Sequence, residues 1–362
     1  MEATPSLACA NKCTFCWRHH KNPVGRSWRW KVDPPELIVE GALARHAAMV
    51  KEFKGTPGVI PARWAAAGTP RHCALSLVGE PIMYPHINQL LRLLHARRIS
   101  TFLVTNAQFP DAIAALEPVT QLYVSIDAPT RDALRAVDRP LFSDFWERFL
   151  GCLDALRAKR QRTVYRLTLI AGPEGNMGPD SAAQYAALIA RGRPELIEVK
   201  GVTWSGVSDG SNLTMASVPW HADVKRFCEE LAGAVAAAGG DPPAYGLAAE
   251  HAHSCCVLLA QEKYRAPGGG WNTWVDYERF QDLAAAWYAG GPAFGAEDFW
   301  APAPHWAAYG AAEQGFDPED KRWRRGDGAG GGGGVHAQGG EGGGAGGAGG
   351  EEAYAPSESG CG

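Results

Sequence analysis

Three cysteines near the start of the chain, Cys9, Cys13 and Cys16, have the types and spacing that could do chemistry. In the pattern Cys-x-x-x-Cys-x-x-Cys they offer three thiolates from one loop, enough to bind three irons of a cubane 4Fe–4S cluster and leave the fourth iron open. An open iron can chelate the amino and carboxylate groups of a ligand such as S-adenosylmethionine (SAM). Spacing alone leaves two alternatives, a zinc site completed by His19 or His20 and a chance grouping.

Polar residues that follow β-rich runs could complete a ligand site. Glu80 belongs to the run Ser-Leu-Val-Gly-Glu-Pro at 76–81, where the glycine would expose backbone to a bound amine and the acid could accept its hydrogen bonds. Asn106, Ser125 and Asp127 stand at the ends of two further predicted strands, where they could hold a ribose or a carboxylate. Singly, each is also typical of a helix cap or turn. Together with the cysteine loop they predict a cofactor site.

Between about residues 73 and 264, β-rich runs alternate with helical patterns, as in βα units over a parallel sheet. This predicts an α/β fold, a partial or complete (β/α) barrel of about six βα units, with a doubly wound open sheet as the alternative. A short first strand is expected near Ser6–Ala8, and helices should begin near Pro85, Ser143 and Pro179. The other predicted strands are Ala74–Val78, Ser100–Thr105, Gln121–Ile126, Thr163–Ile170 and Leu196–Val202.

The 362 residues divide into three predicted regions. Residues 1–265 form the barrel core, and residues 266–325, rich in Trp and Pro, form a C-terminal extension packed on it. Residues 326–362 are a Gly-rich tail that is expected to be disordered, because it has almost nothing to bury. The net charge of −4 gives no overall attraction to nucleic acid, although local basic patches can still bind phosphates.

The nine cysteines are odd in number and crowd toward the first residues, which argues against a secreted disulfide scaffold. Metal or redox chemistry in a reducing compartment fits them better. The first residues lack the charged and apolar segments of a secretion signal, and no later run approaches the roughly 18 apolar residues of a membrane span. We therefore expect a cytoplasmic chain without a membrane partner.

Long ordered blocks of sequence are more specific than the cysteine spacing. They are Thr-Pro-Ser-Leu-Ala-Cys-Ala-Asn-Lys-Cys-Thr-Phe-Cys-Trp-Arg-His-His at 4–20, Cys-Ala-Leu-Ser-Leu-Val-Gly-Glu-Pro-Ile-Met-Tyr-Pro at 73–85, Leu-Val-Thr-Asn-Ala-Gln-Phe-Pro at 103–110, Glu-Val-Lys-Gly-Val-Thr at 198–203 and Val-Pro-Trp-His at 218–221. Over residues 2 to about 325 the chain resembles the tRNA 4-demethylwyosine synthase family, radical SAM enzymes that begin the tricyclic wyosine bases. The zinc and chance interpretations then become minor.

The resemblance implies a radical SAM partial barrel in which the three cysteines hold a 4Fe–4S cluster and the four polar residues above lie near SAM. It implies condensation of N1-methylguanosine, next to the anticodon of phenylalanine tRNA, with pyruvate to give 4-demethylwyosine. An external electron donor, a flavodoxin-like protein or a flavin reductase, is also implied. Relatives begin further upstream, with cysteines for a second cluster, and eukaryotic relatives add a flavodoxin-like module. The chain is therefore expected to be N-terminally truncated relative to the family.

Cations alternate with aromatic residues directly after the cysteine loop. Such a run suits phosphate contact and base stacking, so it predicts an RNA-binding surface, with a solvated loop containing two core tryptophans as the alternative. The predicted RNA contacts are Arg18, Arg26, Trp28, Arg29 and Lys31, accompanied by His19, His20, Lys21 and Trp30. A second cationic run at 321–325 could extend this surface or be only a polar end.

Lys200, near the end of a predicted buried strand, is the predicted catalytic residue. Its amine could form a Schiff base with the keto group of pyruvate or pair with the pyruvate carboxylate, and the alternative is an ion pair with Glu198 or another acid. A later polar group could assist proton transfers, although a structural role is equally compatible with it. This group comprises Glu250, His251, His253 and Ser254.

Two other functions are compatible with the sequence. One is a radical SAM enzyme acting on a peptide or small metabolite, which would have no need of the basic and aromatic run. The other is an inactive RNA-binding or zinc-binding remnant that lacks the upstream region of its relatives.

Overall fold

A computed structural model describes residues 1–18, 22–173, 175–206, 210–238 and 244–320. Its main feature is a sheet of eight strands. They are β1 Glu2–Ala3, β2 His72–Leu75, β3 Ser100–Thr105, β4 Gln121–Ser125, β5 Thr163–Leu169, β6 Leu196–Gly201, β7 Tyr245–His251 and β8 Cys256–Gln261. The short strands β9 Trp274–Val275 and β10 Trp300–Ala301 form a separate antiparallel pair.

The eight strands follow the order β1-β2-β3-β4-β5-β6-β8-β7. Neighbours from β1 to β6 are parallel, whereas β8 runs antiparallel to both β6 and β7. Within the described residues the end strands β1 and β7 do not pair with each other, so the sheet is open. The predicted α/β class with a parallel core is confirmed, and a complete barrel is excluded.

Helices pack on one face of this sheet. Their apolar side chains recur on one side of each helix, and that side is buried against the strands. In α3, for example, Ile87, Leu90, Leu91 and Leu94 are all buried, as the helical spacing predicts. Each of the three predicted helix starts lies two residues before the observed one, at Ile87, Phe145 and Ser181. The helices are α1 Pro35–Glu52, α2 Pro61–Ala67, α3 Ile87–Ala96, α4 Pro110–Ala115, α5 Arg131–Asp138, α6 Phe145–Arg157, α7 Ser181–Gly192, α8 His221–Ala237 and α9 Tyr277–Tyr288.

The first strand is not where the sequence placed it. Residues 2 and 3 pair with β2, whereas the predicted Ser6–Ala8 segment lies outside the ladder. The reason is a local turn: the Thr4 hydroxyl donates to the carbonyl of Ser6 (2.8 Å) and contacts the carbonyl of Val78 at 2.6 Å. The Leu7 side chain is left largely exposed. The segment at 6–8 therefore runs beside the loop that follows β2 instead of extending the sheet.

Residues Met1–Asp317 form one compact unit, and a second unit starts at Pro318. Within the first unit, the C-terminal segment packs at the amino ends of the strands, where the Tyr277 ring lies 4.3 Å from that of His72. The predicted disordered tail and the cationic run at 321–325 lie outside the described residues. Among the described helices, none is long and apolar enough to cross a membrane.

Candidate functional site

The segment that carries the three cysteines is held at the carboxyl end of the parallel strands. The Gly25 N–H donates to the carbonyl of Cys9 (3.0 Å), which fixes the start of the loop against the chain that returns from it. The Lys12 N–H donates to the carbonyl of Asp138 (3.0 Å) at the end of α5. Cys9 is buried, whereas the other two cysteines are partly exposed. The loop thus presents thiols at the sheet edge where the predicted polar residues also end.

Glu80 ties this loop to β2 and β3. Its N–H donates to the carbonyl of Ala8 (2.7 Å), and its carboxylate accepts from the N–H groups of Asn106 (2.7 Å) and Ile82 (3.4 Å). Asn106 in turn points its amide nitrogen at Cys9 Sγ, 3.5 Å away. Burial raises the pKa of the Glu80 carboxyl to about 7, although these hydrogen bonds act in the opposite direction. Two predicted cofactor residues therefore contact each other, and one of them, Asn106, contacts the first cysteine.

Two buried carboxyl groups lie beside Cys13. Asp138 accepts a hydrogen bond from the Asn11 amide (3.3 Å) and interacts with the Cys13 thiol, while Asp127 follows β4 and is bonded by Thr168. Burial raises the pKa of Asp127 to about 6, and burial together with the charge of Asp127 raises that of Asp138. Burial, and after it Asp138, also raises the pKa of the Cys13 thiol. The sequence pointed to Asp127 but not to Asp138, which ends a helix and belongs to no motif.

The donor set at this edge, three thiols in one loop, is the set that an open 4Fe–4S cluster uses. No three His, Cys, Asp or Glu side chains of the described residues are arranged to hold one metal ion, whereas cysteines on a cubane bind separate irons. His19 and His20 lie outside the described residues. Burial, and after it Glu80, raises the pKa of Cys9 to about 12, so a bound cation is needed to keep it a thiolate. Four buried oxygens at the loop also have no partner within the described chain: Oδ1 of Asn11, Asn106, Asp127 and Asp138.

A row of polar side chains crosses the face of the sheet opposite the helices. Ser125, Arg166 and Glu198 occupy matching positions on β4, β5 and β6, and Arg166 donates to Glu198 at 2.7 Å. Lys200 lies two residues nearer the carboxyl end and pairs in register with Thr168. Glu198 is thus engaged by Arg166 and not by Lys200, and in the described chain no hydrogen bond or ion pair reaches the Lys200 amine. The lysine stands at the same sheet edge as the cysteine loop.

Glu250, the first residue of the polar group at 250–254, has several structural partners. Glu250 is buried and joined by His221 (2.7 Å), Lys225 (3.1 Å) and the N–H of Gly310 (2.6 Å). Burial works to raise the pKa of Glu250, but these hydrogen bonds hold it below its ordinary value. The carboxylate therefore links β7 to α8 and to the C-terminal segment, and a part in proton transfer stays a prediction.

Two of the predicted RNA contacts also support the loop itself. Arg18 donates to the carbonyl of Asn11 at 3.0 Å and so braces the cysteine segment from inside. Trp28 donates to the carbonyl of Trp30 (2.8 Å) and packs edge-on against Tyr84, with the ring centroids 5.8 Å apart. Its ring is partly buried against the main core. These two side chains therefore have structural partners in addition to any ligand.

The other three predicted RNA contacts, Arg26, Arg29 and Lys31, are exposed. Two other tryptophans are also exposed. Trp17 directly follows the third cysteine and is 60% exposed, and Trp220 directly precedes α8 and is 81% exposed. Neither is among the RNA contacts predicted from the sequence, because residue type does not reveal exposure. An exposed tryptophan is the unusual case, since such large side chains are mostly buried.

The open parallel sheet and the three-cysteine loop at its carboxyl edge define a protein of the radical SAM class. The family model for the radical SAM superfamily matches residues 4–177, and the model for wyosine base formation matches residues 191–261. Among solved structures, a TYW1 with a lysine–pyruvate adduct bound aligns with a TM-score of 0.60 at 29% identity, covering 72% of this chain and 80% of that one. An archaeal TYW1 aligns with a TM-score of 0.55 at 26% identity, covering 72% and 78%.

Curated relatives are more similar still. The chain is 58% identical over 325 residues to the SAM-dependent tRNA 4-demethylwyosine synthase of Oryza sativa subsp. japonica, covering 90% of this chain and 48% of the relative. It is 56% identical over 327 residues to the tRNA 4-demethylwyosine synthase TYW1 of Homo sapiens, covering 90% and 43%. The chain belongs to the tRNA 4-demethylwyosine synthase family. It spans about half the length of the curated relatives it matches.

Proposed function

We propose that this chain carries the radical SAM core of a tRNA 4-demethylwyosine synthase. In this proposal N1-methylguanosine, next to the anticodon of phenylalanine tRNA, is condensed with pyruvate to form the tricyclic base. The observation that carries this proposal is the position of the cysteine loop against Glu80 and Asn106, with the amide nitrogen of Asn106 3.5 Å from Cys9 Sγ. The chain that contains this loop is 58% identical to a curated synthase.

The residues at the sheet edge are suited to the cofactors of this chemistry. Cys9, Cys13 and Cys16 would hold a 4Fe–4S cluster through three of its irons, and SAM would bind at the fourth. When bound, the cluster supplies the electron that cleaves SAM into methionine and a 5′-deoxyadenosyl radical. The residues proposed to lie near SAM are polar and converge on the loop: Glu80, Asn106, Ser125 and Asp127. The unpartnered Oδ1 atoms of Asn106 and Asp127 are free to accept hydrogen bonds from its amino or hydroxyl groups.

Lys200 is the proposed contact for pyruvate. The radical would abstract hydrogen from the N-methyl group to give 5′-deoxyadenosine, and C2 and C3 of pyruvate would supply the two carbons of the third ring. A lysine can hold pyruvate through a Schiff base or by pairing with its carboxylate. The free amine of Lys200 and the lysine–pyruvate adduct in a solved relative support assigning this task to a lysine.

The tRNA would approach over the cysteine loop. Exposed cations at Arg26, Arg29 and Lys31 suit phosphates, and the exposed rings of Trp17 and Trp220 suit stacking on unpaired bases. Arg18 and Trp28 would take part mainly by holding the loop in shape. We infer a cytoplasmic reaction from the tRNA substrate, and an external flavodoxin-like protein or flavin reductase as the electron donor.

Anaerobic reconstitution with iron and sulfide tests the cofactor assignment. We expect a brown protein that forms 5′-deoxyadenosine from SAM in the presence of dithionite. Cys13→Ala should lose most of the iron and this product, because one thiolate is missing, whereas Cys228→Ala, which removes a thiol from the core of α8, should retain both. Undiminished iron in Cys13→Ala, or stoichiometric zinc in place of iron, would contradict the proposal.

Reductive trapping tests Lys200. Incubation with pyruvate and cyanoborohydride should add one reduced pyruvate to the wild type, and Lys200→Met should lose this adduct while the exposed Lys51→Met keeps it. If the wild type gives no adduct but Lys200→Met raises the KM for pyruvate, the lysine pairs with the carboxylate. An adduct that persists in Lys200→Met, together with an unchanged KM, would remove Lys200 from the site.

A gel-shift titration with phenylalanine tRNA tests the RNA surface. Trp220→Ala should weaken binding by about tenfold without changing thermal stability, because stacking on one base contributes about 1–3 kcal/mol and the ring is exposed. The exposed Trp274, near the amino ends of the strands, offers a matched control, and Trp274→Ala should bind as the wild type does. Equal tRNA affinity of both variants and the wild type would contradict this surface.

A further inference from the structure

A cavity of about 250 Å³ lies at the end of the sheet away from the cysteine loop. Gln121 opens β4, Leu196 opens β6 and Arg162 directly precedes β5, so these lining residues mark the amino ends of the parallel strands. The C-terminal segment lines the cavity with Trp274 and Tyr277. The chemistry proposed above uses none of these side chains.

Arg162 is the unusual group in this cavity. It is 2% exposed, and it donates from Nε to Gln121 Oε1 and from Nη2 to the carbonyl of Thr273, both at 2.5 Å. Its Nη1 is buried and has no hydrogen-bond partner, and the ion pairs of the described chain include none to Arg162. The Tyr264 ring centroid lies 5.7 Å from this guanidinium, but no carboxylate forms an ion pair with it among the described residues. Such burial is costly, because both the charge and the free N–H have been taken out of water.

A second donor faces the same space. The Tyr123 hydroxyl accepts a hydrogen bond from Gln121 Nε2 (2.5 Å), which leaves its own hydrogen available, and no acceptor for it occurs within the described residues. Glu198 also lines the cavity, but its carboxylate is neutralised by Arg166 at 2.7 Å. The cavity thus offers two donors, one of them cationic, and no uncompensated negative charge.

The walls specify the rest of the ligand. Phe102, Tyr123 and Tyr277 present aromatic rings, and Leu196 and Leu258 add aliphatic surface. The volume lies below the roughly 300–1,000 Å³ of pockets for drug-sized ligands, so the occupant must be small. We propose that this cavity binds a small monocarboxylate with an apolar or aromatic body, the carboxylate accepting from Arg162 Nη1 and the Tyr123 hydroxyl. This proposal does not depend on the tRNA reaction.

Calorimetric titration of the full chain with sodium benzoate tests it, with benzyl alcohol as the uncharged probe. The wild type should bind benzoate and not benzyl alcohol. Arg162→Met should weaken benzoate binding by about tenfold or more, since hydrogen bonds to a charged group are the strong ones. Arg157→Met, at an exposed position on α6, should bind benzoate like the wild type. Absence of benzoate binding by the wild type, or equal binding of both probes, would overturn the proposal.

Tyr123→Phe keeps the test decisive if Arg162→Met does not fold. The substitution keeps the ring and removes only the hydroxyl donor, so benzoate affinity should fall by about threefold to tenfold while circular dichroism stays unchanged. Wild-type benzoate affinity in a folded Arg162→Met, or in Tyr123→Phe when Arg162→Met is unfolded, would also overturn the assignment.

Discussion

Replacement of Glu80 by glutamine tests how the cysteine loop is held. The wild-type carboxyl group is buried, 1% exposed, and receives the N–H groups of Asn106 and Ile82 at 2.7 and 3.4 Å. Glutamine has nearly the same shape and keeps one acceptor oxygen, but it does not titrate. The variant therefore removes the charge of residue 80 and leaves the connection between loop and strands largely in place.

The size and sign of the effect follow from the pKa. Burial raises the pKa of Glu80 from its ordinary 4.5 to about 7, so between these values the folded chain holds a proton that the unfolded chain has released. The stabilisation is complete below the unfolded pKa and is lost as the pH rises through the folded one. The total is about 3 kcal/mol, of which about 2.5 kcal/mol is lost between pH 5 and pH 8. The free energy of unfolding of Glu80→Gln should not contain this pH-dependent loss.

Urea unfolding of the metal-free chain at pH 5, 6, 7 and 8 measures it. The difference in free energy of unfolding between variant and wild type should shift by about 2.5 kcal/mol in favour of the variant as the pH rises from 5 to 8. Glu147→Gln, at a side chain that is 60% exposed, should give no such shift. A pH-independent difference for Glu80→Gln, or one of opposite sign, would refute the account of a buried, protonatable carboxyl at the loop.

Three further predictions concern other parts of the fold. Burial lowers the pKa of His95 from its ordinary 6.5 to about 4, so protonation between these values favours the unfolded chain. In urea unfolding, the wild type should therefore lose about 2 kcal/mol of stability between pH 8 and pH 5 that His95→Gln does not lose. Gly79→Ala should destabilise the chain by at least about 2 kcal/mol and reduce iron uptake, since φ is +73° and the added Cβ would lie 2.1 Å from a backbone oxygen of the cysteine segment. Gly41→Ala, in open space within α1, should instead stabilise by about 0.5–1 kcal/mol. In a double-mutant cycle, Glu198→Leu alone should cost about 2 kcal/mol or more, and adding Arg166→Met should recover part of it, because the single change leaves a largely buried guanidinium unpaired.

Much of the architecture could be predicted because it depends on short-range patterns. The strand Ser100–Thr105 is confirmed to the residue, and the helices that begin at 87, 145 and 181 start two residues after the positions predicted from the sequence. The first strand was predicted in the wrong place because two residues are too few to show any alternation. The residue types of this strand do not predict that it pairs with β2.

The candidate site was predictable in part for the same reason. Cys9, Glu80 and Asn106 belong to recognisable runs. Glu80 and Asn106 follow neighbouring parallel strands and meet there, as expected, whereas Cys9 reaches them from a loop outside the sheet. Asp138 was missed, since a single acid at a helix end matches many ordinary positions. The ion-pair partner of Glu198 could not be predicted either, because Lys200 and Arg166 both have the opposite charge. Only the strand register decides between them, and it places Arg166 opposite Glu198.

By itself, the sequence determined the three thiols in one loop, the βα alternation and the family to which the chain belongs, because spacing and residue type are local properties. Only the tertiary structure decided which acids stand beside Cys13 and that an unpaired Arg162 lies buried at the opposite end of the sheet. Asn11 and Asp138 are separated by 127 positions along the chain, and parallel crossovers bring them within 3.3 Å. Local periodicity carries no record of such contacts, although they place the carboxyl group of Asp138 beside the cysteine loop.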